Sequence, residues 1–140
     1  LVSSRNRAGG ANERTFVRSR DGGLTWTAPA TWPELKGNSC NAALTRYAPV
    51  GASKDSHLLL HTLPTSPTRD HLRIFLSEDE GKTWGYSREL CRGEAVYSEV
   101  VILEDGTLGI ISEENDRPGF DIYFTRVSLD WIRKGTKHQH

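Results

Sequence analysis

One eight-residue pattern occurs twice in this chain. Ser19-Arg20-Asp21-Gly22-Gly23-Leu24-Thr25-Trp26 and Ser77-Glu78-Asp79-Glu80-Gly81-Lys82-Thr83-Trp84 share the form S-x-D-x-G-x-T-W, and their first residues lie 58 positions apart. Five shared positions at that distance mean that one supersecondary unit is used again, which constrains the fold more than any single residue. Each copy follows an alternating apolar run and precedes another strand-like stretch, so each reads as a turn between two β-strands. Asp suits such a turn because its carboxylate accepts from backbone N–H groups. Gly supplies a positive φ, and Trp is expected to anchor the loop into the sheet. The copies are expected to announce the fold and not to perform chemistry.

The remaining sequence agrees with an all-β domain. Val, Ile, Thr, Tyr and Trp sit in short alternating runs, and 140 residues suffice for one modest domain with its own core. The net formal charge is zero with no basic stripe, which argues against a nucleic-acid partner. No apolar run approaches membrane-spanning length, and no targeting or low-complexity segment is visible. The chain contains no Met and opens on Leu1-Val2-Ser3-Ser4, a strand already in progress. It therefore reads as the C-terminal part of a longer chain, and the lack of a leader says nothing about location. Cys40 and Cys91 permit one disulfide or two buried free thiols, and the sequence leaves both open.

Strands are expected at 1–5, at 13–19 ahead of the first repeat, and after Trp26 as far as the segment Pro29 to Pro33. Further strands are expected at 39–47, 57–63, 72–76 and 84–90. The next unit holds strands at 95–103, 108–112 and 121–127, with Asp105-Gly106 as a hairpin turn between the first two. Asp116 and Asp121 read as turn residues. No helix is expected. Leu129-Asp130-Trp131-Ile132 reads as a seal for the last unit, and 133–140 as a polar, disordered tail. The count is a partial unit, one four-stranded unit and a three-stranded unit.

The repeated motif resembles the Asp-box of β-propeller proteins. A second resemblance is more specific. Glu94-Ala95-Val96-Tyr97-Ser98-Glu99-Val100, followed by Asp105-Gly106-Thr107-Leu108-Gly109-Ile110-Ile111-Ser112-Glu113, is similar to the C-terminal part of exo-α-sialidases (neuraminidases). In that family a Tyr-Ser pair opens the innermost strand of the last blade, and a Glu ends the return strand. Ser4-Arg5-Asn6 resembles the family's second substrate arginine, and Thr68-Arg69-Asp70 its third. Cys40-Asn41-Ala42-Ala43-Leu44 resembles the strand opening the intervening blade, where Ser often stands at the position of Ala43. Residues 1–132 carry the resemblance. It implies a six-bladed propeller of antiparallel four-stranded blades, of which this chain holds about the last two and a half.

The family cleaves terminal sialic acids from glycans with retention of configuration and without a cofactor. Sialic acid bears a carboxylate on its anomeric carbon, and planar guanidinium groups hold a carboxylate by paired charge-assisted hydrogen bonds. The resemblance makes Arg5 and Arg69 two members of a three-arginine clamp. It makes Tyr97 the nucleophile, the known exception to the two-carboxylate rule for glycosidases. A neutral phenol avoids the repulsion an Asp or Glu would meet at an anionic substrate. An unperturbed phenol, with a pKa of about 10, then needs a base to take its proton. Glu113 matches the Glu that braces the clamp's first arginine, a role of orientation and not of catalysis. The family's acid, base and first arginine have no counterpart here, so the chain by itself is expected to be inactive. Its partners would be a sialylated glycan or a related sugar acid, and the N-terminal remainder of the propeller. The family's work on glycoconjugates favours an extracytoplasmic location.

Bland readings stand beside these. Tyr97 is also acceptable as an ordinary strand tyrosine. Arg7 competes with Arg5, Arg73 with Arg69 and Glu114 with Glu113. His57, His61, His71, His138 and His140 have no metal-ligand spacing and read as solvent-facing or structural. Glu78-Asp79-Glu80 reads as the exposed face of a turn. An Asp-box propeller that binds glycan or protein without cleaving it is the alternative function, because the boxes serve both kinds of protein.

Overall fold

The computed structural model of the chain describes residues 1–5, 13–37, 40–51, 56–117 and 119–138. Strands β1 (Val2–Ser4), β2 (Glu13–Val17) and β3 (Ala30–Lys36) form an antiparallel three-stranded sheet. Strands β4 (Leu44–Arg46), β5 (Leu59–Pro64), β6 (Asp70–Ser77) and β7 (Tyr86–Ile102) follow in order. β8 (Leu108–Arg117) and β9 (Gly119–Val127) then continue the same sheet. β7 belongs to two units. Its first half pairs with β6, from Leu76↔Tyr86 to Asp70↔Glu94, and its second half pairs with β8, from Glu94↔Asn115 to Ile102↔Leu108.

These three units are successive propeller blades, and the hydrophobic core lies between them in two layers. Trp32, Leu35, Leu59, Leu63, Phe75 and Trp84 fill the layer between the first and second units. Leu60, Ile74, Leu76, Val100, Leu108 and Ile110 fill the layer between the second and third. The alternation of strand side chains produces this division. In β5, Leu59 and Leu63 point one way and Leu60 the other, so the strand is buried from end to end. A sheet covered on both faces needs a nearly continuous apolar run, which is what 58–63 supplies.

The serine, aspartate and threonine hydrogen bonds of the two repeats match. Thr25 N donates to Asp21 Oδ1 at 2.9 Å, as Thr83 N does to Asp79 Oδ1 at 2.9 Å. The serine hydroxyls accept from Gly23 N at 2.8 Å and Gly81 N at 2.7 Å. Gly23 and Gly81 have φ of 96° and 73°. Hydrogen bonds from Thr25 and Ser19 hold the Asp21 carboxyl well below the usual carboxylate range. Only the second tryptophan anchors its turn. Trp84 is fully buried, whereas Trp26 is 47% exposed, because the first sheet has a neighbour on one side only among the described residues.

Several strand limits differ from the expectation. No strand follows Trp26 directly, and β3 begins at Ala30, inside the segment expected to end one; it runs through Pro33 because β3 is an edge strand and an edge tolerates a residue without an N–H. Residues 40–43 are not strand, and β4 begins at Leu44. The expected strands at 84–90 and 95–103 are one continuous strand. Asp116 and Asp121 lie within β8 and β9, because the chain reverses between Arg117 and Gly119, the latter at φ 112°. A short helix, α1 (Leu129–Arg133), occurs where none is expected. The Ser128 hydroxyl caps it by accepting from Trp131 N at 3.2 Å, and it buries Ile132. The segment read as a disordered tail pairs instead with β7 as β10 (Thr136–Lys137). Cys40, which is buried, and Cys91, which is half-buried, are not joined by a disulfide.

Gly37 shows how closely the first two units approach. A Cβ built there would lie 2.0 Å from the Pro64 carbonyl oxygen, a backbone atom that cannot swing aside. Gly37→Ala is expected to destabilise the fold by about 3 kcal/mol, the upper range for overpacking, read as a lower urea midpoint by tryptophan fluorescence.

Candidate functional site

Tyr97 owes its position to an irregularity in strand pairing. Ala95 pairs with Glu114 and Ser98 with Ser112, so Val96 and Tyr97 together oppose the single residue Glu113. This is a β-bulge, a device that turns a side chain out of the regular ladder and recurs beside active sites. Val96 is buried and Tyr97 is 39% exposed. The Tyr97 ring borders an open cleft of about 520 Å³, also lined by Asn41, Glu99, Ile111, Glu113 and Ile122. Ser98, next in the chain, is tied through its hydroxyl to Thr62 Oγ1 at 2.7 Å, which fixes this strand to the middle blade.

Arg69 is joined to the same strand. Its carbonyl accepts from Ala95 N at 2.7 Å, two residues before Tyr97. Arg69 has φ 61° and His71 φ 55°, a left-handed conformation that costs a residue with a Cβ. Surrounding bonds impose it. Ser66 Oγ accepts from Asp70 N at 3.1 Å, and Asp70 accepts from Thr68 Oγ1 at 2.9 Å. Strain of this kind gathers at functional sites.

Arg5 follows β1 directly and is half-buried. Its charge, with those of Arg69 and Arg14, acts on the buried thiol of Cys40. Burial pushes that thiol's pKa up, and the charges of Arg69, Arg14 and Arg5 pull it back. Cys40 precedes Asn41, which lines the Tyr97 cleft. Tyr97 and Glu113 therefore line one cleft, while neither Arg5 nor Arg69 lines it; their charges act on Cys40, one residue before the Asn41 wall.

The rival residues stand elsewhere. Arg73 is engaged across the sheet, bonding Ser87 Oγ at 3.1 Å and lying 3.8 Å from Glu89. Glu114 is buried and accepts from Ser112 Oγ at 2.6 Å, whereas Glu113 is half-buried in the cleft. Arg7 lies outside the described residues, as does His140. His57 is exposed at Glu80, and His71 bonds Glu89 at 2.8 Å. His61 is fully buried. In the acidic run Glu78 is exposed, Asp79 closes the turn and Glu80 pairs with Arg46 at 2.9 Å. A second cleft, of about 420 Å³, lies between the two box turns and carries Arg18, Arg20, Arg46 and Lys82. Its Arg18 already bonds the Glu80 and Gly81 carbonyls, a strut between the first two blades, and its Arg46 is held by Ser56 and Glu80 within the second.

Two participants escaped the sequence reading. Asn41 lines the cleft, and Arg14 is only 3% exposed. Arg14 stands two residues before Phe16 and so shares its face of β2, the face that packs against the core. Among the described residues, no cluster of three His, Cys, Asp or Glu is placed to hold a metal ion. No described helix is long and apolar enough to cross a membrane.

Comparison with known proteins matches residues 1–110 to the BNR repeat-like domain family. A sialidase of Micromonospora viridifaciens is 30% identical over 135 residues, covering 94% of this chain and 20% of that protein. The chain thus spans about a fifth of that relative's length. Among solved structures, the Hadza microbial sialidase Hz136 is 31% identical with a TM-score of 0.73, over 93% of this chain and 25% of the other. The intramolecular trans-sialidase of Ruminococcus gnavus, solved with oseltamivir carboxylate, is 20% identical with a TM-score of 0.71, over 93% of this chain and 30% of the other.

Proposed function

The chain belongs to the BNR repeat-like domain family, and from that premise we propose that it is the C-terminal part of a retaining exo-α-sialidase acting on terminal sialic acids of glycoconjugates. The observation that carries this reading is the bulge that turns Tyr97 into a cleft faced by Glu113, in a strand whose Ala95 binds the strained Arg69.

In this reading Tyr97 Oη attacks the anomeric carbon as the bond to the departing glycan breaks. The tyrosine's proton passes to a base, and the glycan oxygen receives one from an acid. Water then attacks the same carbon, breaks the sugar–tyrosine bond and restores the phenol. Arg5 and Arg69 hold the substrate carboxylate by charge-assisted hydrogen bonds. Glu113 braces a further arginine. That arginine, the acid and the base come from residues outside this chain, so the chain alone is inactive. The apolar stripe of Ile111, Ile122 and Phe124, exposed by 47%, 66% and 61%, suits a neighbouring blade that would complete the ring and, because Ile111 and Ile122 also line the Tyr97 cleft, would form the far wall of that cleft.

The test is release of fluorophore from a fluorogenic sialoside by the chain joined to its preceding blades. Release is expected from the completed propeller and not from these 140 residues alone. Arg69→Lys in the completed protein is expected to lower kcat/KM about 10- to 100-fold, through loss of one charge-assisted hydrogen bond worth about 1.5–3 kcal/mol. A folded, silent propeller would leave a module that binds glycan or protein without cleaving it.

A further inference from the structure

We propose that Arg14 is a positioning residue for the sugar-acid site, a buried cation that joins the Arg5 wall to the Cys40–Asn41 wall and adds its charge beneath them. The inference rests on the carboxylate-binding reading above. Arg14 lies in β2 and donates from Nε to Ser3 Oγ at 2.9 Å and from Nη1 to the Cys40 carbonyl at 2.9 Å. One planar group therefore spans β1 and the segment that enters β4, which the strand ladders do not connect. Two residues after Ser3 comes Arg5, and one after Cys40 comes Asn41.

The placement opposes stability. The β1–β2 register pairs Val2 with Val17, Ser3 with Phe16 and Ser4 with Thr15, so Arg5 and Arg14 come next past the last pair, and the charge of Arg5 bears on Arg14. Like charges so placed repel. Among the described residues, the hydrogen-bond partners of Arg14 are neutral oxygens, those of Ser3 and Cys40, and none is a carboxylate. Burial above all, with the charge of Arg5 adding to it, brings its pKa down to about 10, so it remains a cation at neutral pH. A buried cation without a counter-ion is costly. Its charge joins those of Arg5 and Arg69 in acting on Cys40, and the cluster makes sense as part of a site whose missing negative charge is the ligand's.

The test is an NMR titration of the chain with N-acetylneuraminate and with its uncharged methyl ester. The wild-type chain is expected to prefer the acid. Arg14→Met is expected to weaken the acid about 10-fold, as for loss of one charge contribution, and to leave the ester unchanged. Arg14→Lys, which keeps the charge but cannot bridge Ser3 and Cys40, should recover part of the loss. If Arg14→Met does not fold, Ser3→Ala decides, with an expected loss for the acid alone of about threefold from weakened anchoring. Equal losses for acid and ester, or no loss for either, would overturn the role of Arg14 and leave the site reading intact. A wild-type chain indifferent to the ligand's charge would overturn the site reading, and this inference with it.

Discussion

Lowering the pH from about 7.5 to about 5 is expected to cost the fold about 2 kcal/mol through one residue, His61. His61 is fully buried and sits edge-on to Trp32 and Trp84, with ring centroids 6.2 and 5.4 Å away. Its Nε2 lies 2.9 Å from Ser3 Oγ, which already accepts from Arg14, so the hydroxyl hydrogen is directed at an unprotonated ring nitrogen. Its Nδ1 lies 3.3 Å from the Thr62 carbonyl, the partner for the single ring N–H. Burial, reinforced by the Arg14 cation, lowers its pKa to about 3. The unfolded chain, whose histidine titrates near 6.5, therefore binds one more proton than the folded chain between about pH 3 and pH 6.5. Stability is complete above that window and falls as the pH falls through it, by about 5 kcal/mol at its lower end, comparable with the whole stability of a small domain. The Asp and Glu carboxyls with lowered pKa add their own loss below about pH 5, as the unfolded carboxyls begin to bind protons. Urea midpoints of the wild type and His61→Gln at both pH values isolate the effect, because the other histidines are common to both proteins. The variant should be weaker at the higher pH and lose less stability on acidification. Equal pH sensitivity in the two would show that His61 does not titrate as a buried neutral group.

His61 also marks the limit of what the sequence disclosed. The box turns were legible because everything they need is local: a carboxylate four residues before its threonine amide, and a glycine at positive φ. The blade count was legible for a similar reason, since strand alternation is written residue by residue. Continuity was not. Arg92-Gly93-Glu94 reads as a break, yet β7 runs through it, because its two halves find different partners, β6 and β8. The helix at Leu129–Arg133 has five residues, too few for a periodic signal. At the proposed site, Tyr97 and Arg69 were singled out through their neighbours in sequence. The bulge beside Tyr97 was hidden, because a bulge is a property of two strands and one strand's sequence does not contain it. The burial of Arg14 and His61 was hidden by the same kind of cause. Each is a polar residue made tolerable by partners 11 and 58 positions away in the chain.

Replacing Tyr97 with Phe in the completed propeller is expected to lower kcat/KM at least about 10³-fold, while affinity for free N-acetylneuraminate stays within about threefold. The substitution removes one oxygen and nothing else of consequence. Among the described residues the Tyr97 hydroxyl makes no hydrogen bond, and the ring is partly in solvent, so no buried partner is orphaned and the stability change should stay within about 0.5 kcal/mol. The bulge survives as well, because the pairs that flank it, Ala95↔Glu114 and Ser98↔Ser112, belong to the backbone. A folded, sugar-binding and inactive Tyr97→Phe protein would thus separate the bond-forming atom from the arginines that hold the carboxylate. Undiminished turnover would mean that another group attacks the sugar and that Tyr97 serves only as a wall of the cleft. Loss of turnover together with an equal loss of affinity would place the phenol in substrate binding instead. The comparison is decisive because the competing roles of one hydroxyl predict different ratios of kcat to affinity, and the geometry gives folding no reason to blur them.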